Sequence, residues 1–146
     1  MRVLLVKPYN LSDHIQPPLG LGYLAASLRP KHEVKILDCI KDRVNIDKLV
    51  AYIRSFKPDC LGMQCYTLQL DFVRKAFSAA REINPDIINV AGGPHPSAVP
   101  EETMEYFGKL IDYAFQGEAE IGMPLLLERI AKGFNGRLDD IPGLIW

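Results

Sequence analysis

The chain has 146 residues, a formal net charge of −1, and apolar and charged fractions of 48% and 24%. That is enough for one ordinary domain with a real core, and a near-neutral charge without a basic stripe argues against a protein that tracks nucleic-acid phosphates. No apolar run approaches the length that spans a bilayer, and the opening MRVLLVKPYN is cut off by Lys7-Pro8 too early for a signal peptide. A cytoplasmic protein is expected. The three cysteines, Cys39, Cys60 and Cys65, fall in or at the ends of expected strands, without zinc-ligand spacing or a disulfide framework, and are read as reduced thiols.

In chain order, RVLLVKP (2–8) is a β-branched run ended by proline, and PLGLGYLAASLRP (18–30) sets Leu19, Tyr23, Leu24 and Leu28 at helical spacing before Pro30 stops it. HEVKILDC (32–39) alternates as a strand. NIDKLVAYIRSF (45–56) is a helix with Ile46, Leu49, Val50 and Ile53 on one face, and DCLGMQC (59–65) is a short buried strand. The segment 68–84 is a helix carrying Leu70, Val73, Ala76, Phe77 and Ala80 in one stripe. INVAGG (88–93) is the fourth strand, PEETMEYF (100–107) a helix opened by proline and glutamates, LIDYAFQG (110–117) the fifth strand. EAEIGMPLLLERIAKG (118–133) is a final helix ending in lysine and glycine, with Pro124 in or just after its first turn or else kinking it.

Strands that are nearly continuously apolar, alternating with helices, predict an α/β domain: a five-stranded, parallel, doubly wound sheet of Rossmann-like or flavodoxin-like order 2-1-3-4-5, with helices on both faces. Residues 1–135 are assigned to this domain. The tail GRLDDIPGLIW (136–146) reads as a turn and an apolar strand that a closed five-unit domain does not need, so it is expected to begin a link to a following domain.

Ligands of such sheets sit outside the carboxyl ends of the strands. There the chain places KPYNLSDHIQPPLGLG, QCYT, GGPHPS and QGEAE, rich in glycine, proline, histidine and small polar residues. Taken singly, Gly92 and Gly93 make a tight turn, Pro94 and Pro96 stiffen a loop, Gly20 and Gly22 allow close helix packing, and His95 is a solvated loop residue. Four permissive loops at one edge have no reason in stability alone. A phosphoacceptor site would need acidic residues at the ends of strands one and three and a lysine after strand five, which KPYN, QCYT and QGEAE do not supply, and the dinucleotide fingerprint and the P-loop lysine motif are also missing. A Cys65–His95 nucleophile pair remains open, although no nucleophile elbow surrounds Cys65.

PPLGLGYLAASLR, VAGGPHPSAVPEE and DYAFQGEAE, each at its strand end, resemble the N-terminal cobalamin (vitamin B12)-binding domain of the B12-dependent radical SAM enzymes, over essentially the whole chain. The resemblance implies a corrin lying over the carboxyl edge of the sheet, with its dimethylbenzimidazole tail swung off cobalt into a cleft between sheet and helices. It implies cofactor contacts at Leu19, Gly20, Leu21 and Gly22, where the first helix offers unpaired N–H groups, and at Cys65, Tyr66, Thr67, Gly92, Gly93, Pro94, His95, Gly117 and Glu118. Glycines suit the close approach of the tail. The resemblance also makes the terminal IPGLIW a link into a radical SAM barrel, where S-adenosylmethionine (SAM) and a 4Fe–4S cluster are bound and where the parent enzyme performs methyl transfer or related radical chemistry.

Two departures sharpen this. The D-x-H-x-x-G motif of other B12 domains is absent, since Asp13 and His14 are adjacent, so a base-off cobalamin without a histidine ligand from this domain is expected; His14 and His95 are kept as possible contacts to cobalt or a corrin amide. Cys39, Cys60 and Cys65 do not form the C-x₃-C-x₂-C run that holds the cluster, so this chain alone is not expected to cleave SAM. The competing readings are a cofactor-free interaction or scaffold module of the same fold, and a small-molecule enzyme using Cys65 and His95.

Overall fold

The amino-terminal apolar run forms β1 (Arg2–Lys7), in which Val3, Leu4, Leu5 and Val6 are all fully buried, as a strand covered on both faces must be. The computed structural model describes residues 1–10, 16–133 and 136–146. β1 pairs in parallel with β2 (Glu33–Asp38) on one side and β3 (Cys60–Gln64) on the other, and β4 (Ile88–Gly92) and β5 (Tyr113–Phe115) continue the parallel sheet. The order is β2-β1-β3-β4-β5, as expected, extended by β6 (Leu144–Ile145), which is antiparallel to β5.

Alternation along β1 divides the core. Leu4 and Val6 face α2 (Ile46–Phe56), α3 (Leu70–Ile83) and α5 (Pro100–Phe107), where Leu49, Ile53, Phe56, Val73, Phe77 and Phe107 fill the space. Val3 and Leu5 face α1 (Leu19–Leu28) and α6 (Gly122–Ala131), packing with Leu21, Ala25, Leu28, Met123, Leu126 and Leu127. Helix α2 starts where Asn45 accepts the Lys48 N–H through its side chain at 3.0 Å, a standard N-cap bond.

Four boundaries differ from expectation. Strand β5 is shorter than 110–117, because 108–110 forms a 3₁₀ turn and the chain bends after Phe115 at Gly117, whose φ is +74°. Helix α6 starts at Gly122 rather than 118, which puts Pro124 in the first turn, where no intrahelical N–H is needed. GGPHPS is not an irregular loop: Pro94–Ala98 forms a short helix, α4. The tail folds back on this same sheet. Ile141 is buried, the Gln116 N–H donates to the Gly143 carbonyl at 2.8 Å, and Arg129 donates twice to the Asp140 carboxylate at 2.6 and 2.5 Å.

The sheet has two dissimilar rims. β2 shows charged Glu33 and Lys35 to solvent, and β6 is only two residues long.

Candidate functional site

β3, β4 and β5 end side by side, and beneath those ends the α1/α6 face of the sheet is not filled. A cleft of about 440 Å³ opens there, within the size range of small-molecule sites. Its floor is Leu5, Gly62, Val90, Phe115 and Met123; α1 contributes Gly20, Leu21 and Leu24; Gln64, Gly92, Gly93, Pro94, Ser97, Gly117, Glu118 and Glu120 stand around the mouth.

The two adjacent glycines do different work. A Cβ added to Gly92 meets nothing within 4 Å, so its missing side chain is empty volume in the cleft. Gly93 has φ +95°, and a Cβ there would lie 3.2 Å from Gln64 Cγ and 3.3 Å from the Cys65 nitrogen. It makes the turn into α4, and glycine alone takes that turn without strain. The turn is fixed by the His95 N–H donating to the Cys65 carbonyl at 3.0 Å. Ser97 then fastens the two lips of the cleft, its hydroxyl donating to the Gly93 carbonyl at 2.8 Å and accepting the Gly117 N–H at 2.9 Å.

Of the residues expected from sequence, Gly20, Leu21, Gly92, Gly93, Pro94, Gly117 and Glu118 line this cleft. Leu19 and Gly22 lie on the first turn of α1 without lining it, and their N–H groups are already donated to the Pro17 and Pro18 carbonyls, both at 2.9 Å. That removes two of the four amides thought available for a ligand. Tyr66, Thr67 and His95 stand on the strand-end edge beside the cleft, with Thr67 Oγ1 3.0 Å from His95 Nδ1 and Gln64 Nε2 donating to the Tyr66 hydroxyl at 3.3 Å. Asp13 and His14 lie outside the described residues.

The Cys65 side chain is fully buried and points into the α2/α3/α5 core, where Sγ donates to the Met63 carbonyl at 3.4 Å. Burial pushes its thiol up to about 12, so no thiolate is available near neutral pH. The Cys65–His95 nucleophile reading fails on both counts. Among the described residues no group of three or more His, Cys, Asp or Glu side chains can hold a metal ion, and no helix is long and apolar enough to cross a membrane.

Three neighbours of the site escaped the sequence reading. Gly62 lies mid-strand in the cleft floor, where a Cβ would come within 2.9 Å of Leu5 Cδ2; a lone glycine inside an apolar strand is the signal. Ser97 carries no signal beyond a small polar residue after a proline. Leu68, taken as the first residue of a helix, is 99% exposed in a 3₁₀ turn at the end of β3.

Among the described residues the lining includes no Lys, Arg or His, and two glutamates stand at the mouth. Such a cleft is ill suited to a free phosphorylated nucleotide and well suited to a neutral, largely apolar group.

Comparison with known proteins agrees. The B12 binding domain family matches residues 11–127. An uncharacterized methyltransferase of Pyrococcus horikoshii, PH0819, is 33% identical over 139 residues, covering 91% of this chain and 30% of that protein. The cytidylyl-2-hydroxyethylphosphonate methyltransferase of Streptomyces wedmorensis is 29% identical, covering 99% of this chain and 31% of its own length. Among solved structures, the radical S-adenosylmethionine methyltransferase TsrM of Kitasatospora setae, with cobalamin and a 4Fe–4S cluster bound, superposes with a TM-score of 0.82 at 28% identity, over 99% of this chain and 26% of that one. The chain spans about a third or less of the length of these relatives. Since the family match runs from the loop after β1 into α6, taking in the cleft and both of its lips, the chain belongs to the B12-binding domain family.

Proposed function

We propose that this chain seats cobalamin base-off, with the corrin over the carboxyl edge of β3, β4 and β5 and the dimethylbenzimidazole tail in the cleft below. The observation that carries this reading is the empty volume at Gly92, opening into a cleft whose floor is apolar. A cleft of this depth serves no packing purpose, and the lack of cations among its described lining residues fits a neutral aromatic base. Tyr66, Thr67, Leu68 and His95 border the corrin seat, and the full exposure of Leu68 is explained if an apolar surface covers it. We assign cobalt no histidine ligand from this domain.

When bound, cobalamin supplies a cobalt centre that carries a methyl group. The chain's own residues supply the seat: Gly92 leaves the volume, Gly62 lets Leu5 pack down onto the floor, Leu21 and Leu24 wall it, and Ser97 holds the lips in register. Cys39 and Cys65 are buried on one face of the sheet and Cys60 on the other, so cluster binding and SAM cleavage are assigned to a radical SAM domain reached through residues 136–146. The longer protein is then a B12-dependent radical SAM enzyme of the reducing cytoplasm, most simply a methyltransferase.

The test is thermal unfolding with and without excess hydroxocobalamin, read beside the visible spectrum. At about a hundred times the dissociation constant, binding adds roughly 2.7 kcal/mol, a shift of several degrees for a domain of this size. The expected result is that shift with a base-off spectrum retained through gel filtration. No shift and no retained colour would favour the cofactor-free module instead.

A further inference from the structure

We propose that the cleft selects among cobamides by the base on their tail, accepting benzimidazole-type bases and discriminating against adenine-type ones; this rests on the seat proposed above. The floor offers a buried ring almost nothing to hydrogen-bond. Leu5, Val90 and Phe115 have hydrocarbon side chains, Gly62 has none, and the Met123 sulfur is only a weak acceptor. The backbone there is engaged as well. β3 is paired on both sides, with β1 and β4, and β4 is paired on both sides, with β3 and β5, so the peptide groups of Gly62 and Val90 face their ladders. Among the described residues the polar groups are confined to the mouth, and Ser97 has already given its one hydroxyl proton to the Gly93 carbonyl.

The two classes of base meet this floor differently. Once joined to its ribose, dimethylbenzimidazole presents a hydrocarbon edge with two methyl groups and one ring nitrogen, and that edge gains from burial. Adenine, joined in the same way, presents an exocyclic amine and three ring nitrogens. Each leaves water for a surface without partners, and buried polar groups without partners are disfavoured. The discrimination arises from what the floor lacks rather than from a clash, so it applies to a base of equal size.

The experiment titrates the protein in parallel with hydroxocobalamin, the adenine-base cobamide and cobinamide, which has no base, reading visible spectra and thermal shifts. Cobalamin is expected to bind at least tenfold more tightly than either of the others, a difference of about 1.4 kcal/mol. A gap of less than tenfold between cobalamin and the adenine form, with both well above cobinamide, would overturn the selection and leave the seat intact. Cobinamide binding as tightly as cobalamin would show that the tail does not dock in the cleft, and would overturn it too. Failure of all three to bind would remove the cobalamin reading itself.

Discussion

On one face of the sheet, Phe56, Phe77 and Phe107 from three helices close against Leu4, Val6 and Leu61, and the hollow on that side lies outside this layer, between α3 and α5 at Arg74, Glu105 and Tyr106. On the other face, two helices cover the same strands, and Gly20 and Gly92 put no side chain into the space at the carboxyl end. The strands are equally apolar toward both sides. What differs is the size of the residues at the carboxyl end and the number of helices placed over it. One face is built for stability, and its twin gives up packing at one end to keep a volume open.

Changes on the two faces should therefore separate folding from binding. The largest effect belongs to the closed face: Phe77→Ala removes a fully buried ring and should cost about 3–5 kcal/mol in urea unfolding, while the added stabilisation from cobalamin stays the same. On the open face, Gly92→Val should leave stability within about 0.5 kcal/mol, since nothing lies near its Cβ. Cobalamin retention should be lost, and unchanged retention would put the tail elsewhere. Gly93→Ala should sit between the two, lowering stability by about 1–3 kcal/mol because of its positive φ and weakening cobalamin through the displaced lip. The smallest effect is expected for Glu128→Gln. Hydrogen bonds from Lys132 and from Lys31, just beyond α1, hold this carboxyl down at about 2, below its ordinary 4.5. Its contribution is complete above pH 4.5 and fades as pH falls toward 2, so parent and variant should differ slightly at pH 7, less at pH 3, and converge only as pH approaches 2 in the same unfolding assay.

Sheet order was legible because each strand is an apolar run of the right length, and right-handed crossovers leave few arrangements. The glycine-bearing strand ends were legible because glycine and proline mark places where the backbone must do something unusual. What stayed hidden depends on contacts distant in sequence. The strand near Leu144 was visible, but nothing local says that it returns to β5, since antiparallel partners are chosen by the surface they cover. The helical turn at Pro94–Ala98 was hidden by its two prolines, which suit a first helical turn as well as a rigid loop. The inward aim of Cys65 depends on strand register at β3, and the roles of Gly62 and Ser97 appear only once α6 and the β5 loop are brought alongside.

The pairing of β6 with β5 has a meaning for self-association. A sheet edge is a row of unpaired amides and carbonyls that invites another chain to add a strand. Here β2 discourages addition with Glu33 and Lys35, and at the opposite rim β6 pairs with β5 and covers its edge. Trimming the gene at residue 135 would strip that cover, bare the Tyr113–Phe115 strand, and take Ile141 out of the core behind the cleft. A shortened protein of that kind should aggregate, and the stretch that looks like a connector is part of what keeps this domain apart from its own copies.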